Sequence, residues 1–272
     1  MNSTDAKSFA VRTLRVLVAA FLFVTSAAAV ELKKKTVDAY EAYVAAAEQQ
    51  IENEQRGPQF FWGSVPPQEQ KLQAGEILVE KAVLDSKKSK EVPDGLLHHW
   101  SGFIFIPNVK LQQVLTLLQD YNRHSEYYKP EVAQSKVLHR DGDHFLVFLR
   151  FVKKKVITVV MNTEHDVRYV KLDATRAYSR SHTTRVAEVE SPGSPDEREK
   201  PPGTGGGFMW RTDTYWRFLQ KDNGVYVRCD AISLTRDVPT GLGWLIGPFI
   251  TSIPKDSLVF TLTSTRSALT KH

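Results

Sequence analysis

Apolar and polar residues alternate through most of the second half of the chain. The alternation marks six segments, residues 135–139, 145–152, 156–169, 177–189, 208–220 and 225–234. A period of two is typical of strands that bury one face. The links Asp141-Gly142-Asp143 and Asp222-Asn223-Gly224 have the chemistry of tight hairpin turns, and links this short join antiparallel neighbours. The pattern therefore predicts an antiparallel meander.

In three segments the apolar residues recur every three or four positions, which predicts helices. Thr36 is a candidate N-cap for the first helix, which ends at Gly57, and Pro254 suits the first turn of the last helix. Strand patterns over residues 75–84 and 96–106 lie between the first and second helices. The helices have their apolar positions at Val37, Tyr40, Val44, Ala47 and Ile51; at Val109, Val114, Leu115, Leu117 and Leu118; and at Leu258, Leu262, Thr265 and Leu269.

One connection is much longer than the others. Residues 191–207, SPGSPDEREKPPGTGGG, are rich in proline, glycine and charge. We expect a mobile loop here. Because strands with the same period resume on both sides, we interpret it as an oversized hairpin tip and not as a domain boundary. The whole pattern predicts an α+β fold in which a strand and a helix precede a run of antiparallel strands and a long C-terminal helix.

The N-terminal segment has the features of a signal peptide. Arg12 and Arg15 precede an apolar run over residues 16–24, and Ala27-Ala28-Ala29 supplies a small-residue cleavage site. Nine apolar residues are too few to cross a bilayer in a helix, which takes about 20. We expect cleavage after Ala29 and a periplasmic or secreted protein. The alternative is an uncleaved membrane anchor that extends to Val30.

Composition is that of an ordinary soluble protein, with 42% hydrophobic and 25% charged residues in 272. The single cysteine, Cys229, excludes an intrachain disulfide, a Cys-x-x-Cys redox pair and a cysteine-rich zinc site. We expect it to be buried in a strand. The signal segment carries three basic residues and one acidic residue, so its removal lowers the net charge from +5 to +3. The charge therefore does not indicate a nucleic-acid partner.

Motifs for catalysis or metal binding are missing from the sequence. His98 and His99 are adjacent, and adjacent side chains of a strand point to opposite faces, so they cannot bind one ion. The run 203–207, GTGGG, lacks the strand-to-helix context and the lysine of a phosphate-binding loop. No Gly-x-Ser-x-Gly elbow occurs. We expect no metal and no cofactor.

Two stretches resemble the START-like superfamily of polyketide cyclases, lipid-transfer domains and pollen-allergen ligand binders, also called SRPBCC. Residues 106–137, which include IPNV, LLQDYN, YKPEV and SKV, resemble the entry helix, its Asp-Tyr turn and the following strand of that family. Residues 225–239, which include SLTRDVP, and 254–266 are similar to its last strand and C-terminal helix. The resemblance covers about 96–269 and identifies the chain as an exported bacterial member.

The resemblance implies a helix-grip fold, in which a twisted antiparallel sheet wraps around a long C-terminal helix and a cavity between them holds a lipid or another hydrophobic molecule. It implies no catalytic residue. The chain then divides into a signal peptide (1–29), an N-terminal helix with its connector (30–95) and a START-like domain (96–272).

Strand phases point to cavity residues within that fold. In 208–220, the apolar phase should face the cavity and the charged phase, with Asp213 and Arg217, should form a solvated outer face. The alternating apolar side chains of the strand 156–169 and the apolar face of the C-terminal helix should also line the cavity. The alternative is that these side chains only fill a core. The predicted cavity residues are Val159, Met161, Trp210, Thr212, Trp216, Leu258 and Leu262.

Three functions follow as hypotheses. The leading one is an exported, non-enzymatic protein that binds a hydrophobic small molecule or lipid, and a carrier between membranes would contact them transiently. The second is a polyketide cyclase or dehydratase with a cavity-facing His182 or Arg180 as acid or oxyanion partner. The third is an interaction module with a filled core and a docking helix over residues 37–51.

Overall fold

The structure is a computed structural model that describes residues 31–82, 84, 92–154, 158–237 and 243–270, without the side chains of 243–251. The predicted signal segment lies outside these residues. The helices are α1 (Lys34–Arg56), α2 (Glu69–Gln73), α3 (Leu111–Gln119), α4 (His124–Tyr127) and α5 (Gly243–Thr270). The strands are β1 (Leu78–Lys81), β2 (Gly95–Pro107), β3 (Val132–Asp141), β4 (His144–Lys154), β5 (Thr158–Lys171), β6 (Arg176–Glu190), β7 (Arg198–Glu199), β8 (Arg211–Lys221) and β9 (Gly224–Arg236).

The strands form one antiparallel sheet in the order β1-β2-β9-β8-β6-β5-β4-β3, and β7 pairs separately with β6. The predicted meander is confirmed, and β2 joins it beside β9. Both hairpin turns have the positive φ that their residues favour: 57° at Gly142, 55° at Asp222 and 57° at Asn223. The first strand, β1, is shorter than the predicted segment 75–84.

The C-terminal helix packs on one side of the sheet, against β2. Leu258 and Leu262 enter a core cluster with Ile104, Val227 and Cys229. Gly102 of β2 permits the close approach, because a Cβ there would lie 2.5 Å from Leu262 Cδ1. The α+β, helix-grip arrangement predicted from the sequence is confirmed.

Helix α5 begins earlier than expected. We predicted a start at Pro254, but the helix begins at Gly243 and contains the proline. A proline inside a helix removes one backbone hydrogen bond and need not end a helix of 28 residues. In the part of the chain that the structure describes, no helix is long and apolar enough to span a membrane.

Helix α1 covers the outer face of the sheet, opposite α5. Its apolar stripe packs on Trp210, Tyr215, Ile232 and Leu234. The docking helix of the third hypothesis is therefore wrong, because its stripe is already buried. Thr36 lies inside the helix and donates to the Pro93 carbonyl at 2.8 Å, while Lys33 occupies the N-cap position that we expected for Thr36.

Our expectation of a solvated outer face for β8 is also wrong. Asp213 and Arg217 are 5% and 0% exposed. The connector after α1 brings Phe60 close enough for its carbonyl to accept from Arg217 at 3.0 Å. The charged phase of β8 is therefore a buried layer between the sheet and the N-terminal segment.

The long connection 191–207 joins β6 to its neighbour β8, as the hairpin interpretation predicts. We expected it to be mobile, but the structure packs it against strands β4 and β6. Arg150 forms an ion pair with Glu197 at 2.9 Å, and Glu188 accepts from the backbone N–H of Gly206 at 2.6 Å. Several charged residues of this segment thus bind the sheet and are not merely solvated.

Candidate functional site

A cavity of about 320 Å³ lies between α5 and the strands β4, β5, β6, β8 and β9. Helix α5 approaches the sheet closely at Gly102, on β2. Farther across the sheet, at Ser179, Ser181, Thr212 and Thr214, the side chains that face α5 are too small to fill the space. The cavity therefore forms because α5 contacts the sheet at β2 but faces only short side chains on β6 and β8.

Aliphatic side chains form one side of the cavity. The strands β4 and β5 present Val147, Leu149, Val159, Met161 and Val167, and α5 adds Leu258 together with the aromatic Phe260. Burying apolar ligand surface against such a wall is favourable by about 25 cal/mol per Å². This side can therefore hold hydrocarbon.

Five hydroxyl side chains form a polar patch on another part of the lining, beside Trp216 and Ala231. They come from three neighbouring strands: Ser179 and Ser181 from β6, Thr212 and Thr214 from β8, and Ser233 from β9. We call these five side chains the hydroxyl-lined wall. The cavity thus has an apolar side and a polar patch.

Several ionisable groups also line the cavity, and its two histidines have protein partners. His165 Nε2 lies 2.8 Å from Thr163 Oγ1, and burial lowers the pKa of His165 to about 4. His124 Nε2 lies 3.0 Å from the Leu118 carbonyl oxygen, and burial lowers its pKa to about 4. Both imidazoles are therefore neutral at pH 7.

An ion pair, a buried thiol and Arg236 at the end of β9 also belong to the lining. Lys153 at the end of β4 pairs with Glu131. Cys229 is buried in β9, as predicted, and burial raises the pKa of its thiol well above the usual range. A buried thiol that is protonated is a poor nucleophile.

Five of the seven predicted cavity residues line this cavity: Val159, Met161, Thr212, Trp216 and Leu258. Leu262 does not, because it packs directly on Gly102 in the core. Trp210 lies on the outer face, in the cluster with α1. It precedes the first residue of β8, Arg211, so the alternation of that strand does not extend to it. Ligand binding by these residues stays a prediction.

The residues named for cyclase chemistry lie elsewhere. His182 Nδ1 is 2.9 Å from Asp213 Oδ1 on the outer face, and its Nε2 is 3.3 Å from Glu48 of α1. Hydrogen bonds to Asp213 and Glu48 raise the pKa of His182 to about 9. Arg180, two residues away on the same strand, is exposed. His165, which does face the cavity, was missed because we followed only the aliphatic positions of its strand.

The outer face holds a buried ionic cluster that the sequence analysis also missed. Asp230 of β9 lies 3.2 Å from Arg217 and 2.9 Å from Arg228. Glu54 of α1 lies 2.7 Å from Arg217. Burial opposes ionisation of Asp230, but the guanidinium groups of Arg228 and Arg217 outweigh it and lower its pKa to about 2. The cluster joins α1 to two strands.

A second cavity, of about 220 Å³, adjoins this cluster. His99 lines it, and its Nδ1 lies 3.0 Å from the Tyr43 hydroxyl. His98 lies on the other face, 3.1 Å from Thr235 Oγ1, so the two histidines are separated as expected. Among the described residues, no group of three or more histidine, cysteine, aspartate or glutamate side chains could hold a metal ion.

No family model matches the chain, and no curated protein matches it. Similar solved structures include the STAR-related lipid transfer protein of Xanthomonas axonopodis, with 17% identity, 67% of this chain and 97% of that chain covered, and a TM-score of 0.45. Human STARD10 has 10% identity, coverage of 75% and 82%, and a TM-score of 0.42. The Zhui aromatase/cyclase from Streptomyces has 12% identity, coverage of 64% and 93%, and a TM-score of 0.39.

The strand pairing and helix packing of this chain establish its fold. Strand β2 pairs along its length with β9, from Gly95 opposite Arg236 to Pro107 opposite Gly224. The meander from β3 to β9 completes the sheet, and α5 lies against its inner face. Strand order, pairing and the position of α5 show the helix-grip fold that the sequence pattern predicts.

Proposed function

We propose that this protein is an exported, non-enzymatic binding or transfer protein for a hydrophobic small molecule or lipid. The observation that supports this proposal most strongly is the cavity of about 320 Å³ between the sheet and α5. Its volume lies in the range of small-molecule sites, and its lining is mostly apolar with a few polar groups. The space between the sheet and α5 is therefore not filled by side chains. The interaction-module hypothesis requires a filled core.

Export is part of the same proposal and rests on the sequence. The basic residues Arg12 and Arg15, the apolar run 16–24 and the alanines before Val30 support a cleavable signal peptide. A protein that carries a lipid outside the cytoplasm would exchange it at membranes, and transient membrane contact therefore belongs to the proposal.

Native mass spectrometry tests the proposal directly. The full chain is expressed in a bacterium, purified gently from the cell envelope and sprayed under non-denaturing conditions. We expect a complex with one hydrophobic molecule and, after denaturation, a chain that begins at Val30. A protein that is empty in every preparation, and that takes up no fatty acid, phospholipid, quinone or polyketide when these are added, would contradict ligand binding. A retained N-terminus would contradict cleavage.

We do not extend the proposal to a cyclase or dehydratase. The two residues on which that hypothesis depended, His182 and Arg180, lie on the outer face. The two imidazoles that line the cavity have partners in the protein: His165 is hydrogen-bonded to Thr163, and His124 to the Leu118 carbonyl. No observation in the cavity favours catalysis over binding.

A further inference from the structure

The hydroxyl-lined wall carries side chains that the described part of the protein leaves free to bind a ligand. None of the five side-chain oxygens of Ser179, Ser181, Thr212, Thr214 and Ser233 has a hydrogen-bond partner within the described ranges. Thr212 contributes only its backbone N–H, which donates to Thr183 Oγ1 at 3.0 Å. Ser179 is buried and the other four residues are half-buried, so their side-chain oxygens must find hydrogen-bond partners in water or in a molecule bound in the cavity.

These hydroxyls form a continuous surface because of the strand register. Ser181 lies opposite Thr214 across β6 and β8, and Thr212 lies opposite Ser233 across β8 and β9. Ser179 is 2% exposed and lies on the same face, two residues from Ser181. Each hydroxyl can donate and accept a hydrogen bond, so the wall suits oxygen atoms of either kind on a bound molecule.

Among the described lining residues, the charged side chains lie outside this wall. Of the described lining residues, Lys153 is paired with Glu131, and Arg236 is the last residue of β9. No charged side chain belongs to the hydroxyl-lined wall. A carboxylate or phosphate placed against the five hydroxyls would lose its hydration and gain no counter-ion from the wall itself, which is unfavourable. A pure hydrocarbon would leave all five hydroxyls without partners.

We infer that the ligand is an uncharged amphiphile that carries two or more oxygen atoms, as hydroxyl, ester or keto groups, along the edge that faces the hydroxyl-lined wall. Its hydrocarbon part lies against the aliphatic side formed by β4 and β5. This inference rests on the proposed function, since it presumes that the cavity binds a hydrophobic molecule, and it adds the chemical class.

Competition binding on the full chain tests the class. Diphenylhexatriene, a pure hydrocarbon, serves as the fluorescent reporter, and monoolein, oleate and 1-octadecene compete for its site. The three competitors have similar hydrocarbon chains. Monoolein has an uncharged glycerol ester at its end, oleate has a carboxylate, and 1-octadecene has no polar group. We expect monoolein to displace the reporter at a concentration about tenfold lower than either of the others, as one or two extra hydrogen bonds would give.

Substitutions in the wall show where the preference originates. The double variant Ser181→Ala, Thr214→Val should weaken monoolein binding by about tenfold and leave diphenylhexatriene binding within about twofold. Thr158→Val is the matched control, because Thr158 is exposed and does not line the cavity. Circular dichroism verifies folding, and the isosteric Thr214→Val alone carries the test if the double variant unfolds.

The outcomes separate this inference from the proposed function. If all three lipids compete equally, or if the wall variants keep the preference for monoolein, the assigned class is wrong although the cavity still binds hydrophobic molecules. If oleate competes best, the ligand is anionic and the class is again wrong. If neither the reporter nor any lipid binds, the proposed function itself fails.

Discussion

Asp230 has the least exposed carboxylate of the ionic cluster, with a side chain 1% accessible between two arginines. Ser101 also donates to it from β2. Buried ion pairs add little net stability compared with apolar residues of the same shape, but removal of one partner leaves an uncompensated charge. Asp230 therefore holds Arg217 and Arg228 in a place where neither could remain alone.

Asp230→Asn should destabilise the protein by about 3–5 kcal/mol, since it leaves two buried guanidinium groups with too little negative charge. Urea unfolding followed by tryptophan fluorescence measures the change. Glu126→Gln is the control, because Glu126 pairs with Arg123 at 2.9 Å on the surface and its loss should cost less than about 1 kcal/mol. Equal losses in the two variants would show that the cluster is not a buried unit.

At the scale of elements, the contact between α5 and β2 determines how close the helix lies to the sheet. A Cβ at position 102 would lie 3.0 Å from Leu258 Cγ as well as 2.5 Å from Leu262 Cδ1. Both leucines are buried and cannot swing into solvent. The glycine thus permits a contact that no other residue could make without moving α5.

Gly102→Ala should destabilise the protein by about 1–3 kcal/mol, because the added methyl group overpacks the contact. It should also change ligand affinity, since α5 forms one side of the cavity. Thermal unfolding and reporter binding are the two measurements. Gly57→Ala is the matched control, as the nearest atom to its Cβ would be 3.8 Å away. A Gly102→Ala protein as stable as the control would contradict the tight packing described here.

At the scale of the whole molecule, the sheet is a central layer with α5 on one face and the N-terminal segment on the other. Both interfaces bury histidines. Burial lowers the pKa of His98, His99, His124 and His165 to about 4 in each case. Two of these four lie in the cavity lining and one beside the second cavity, so protonation affects both faces of the sheet.

Acid should therefore destabilise the fold well above the pH at which carboxylates titrate. Between about pH 6.5 and pH 4 the unfolded chain binds protons on these histidines that the folded chain does not, so stability falls as pH falls. Each histidine contributes a slope of up to about 1.4 kcal/mol per pH unit. Urea midpoints across this window measure it. A flat profile from pH 7 to pH 4.5 would contradict the burial of the histidines.

The sequence predicted the inner layer better than the outer one, and the reason is physical. Alternation with hairpin turns specifies which strands are neighbours, and helical spacing identifies α5. Alternation cannot tell whether a polar face meets water or another element, and we therefore assigned Arg217 to solvent although it is 0% exposed.

The cavity was predictable in position but not in chemistry. The alternation along β8 correctly predicts that Thr212 and Trp216 line the cavity. It fails for Trp210, because the strand begins one residue later. The hydroxyl-lined wall depends on the pairing of β6, β8 and β9, which brings together residues distant in the chain. Strand register of this kind is a property of the folded sheet and not of any one segment.

The position of α1 has a consequence for the order in which the protein can assemble. Tyr40 donates a hydrogen bond to Asp213, a residue 173 positions later in the chain. During synthesis the first helix therefore emerges long before the strands that cover its apolar stripe. Contacts so distant in sequence close slowly, because a long loop must be ordered first. The outer layer is then among the last parts of the molecule to form, and the nascent helix needs protection from aggregation until the final hairpin has paired.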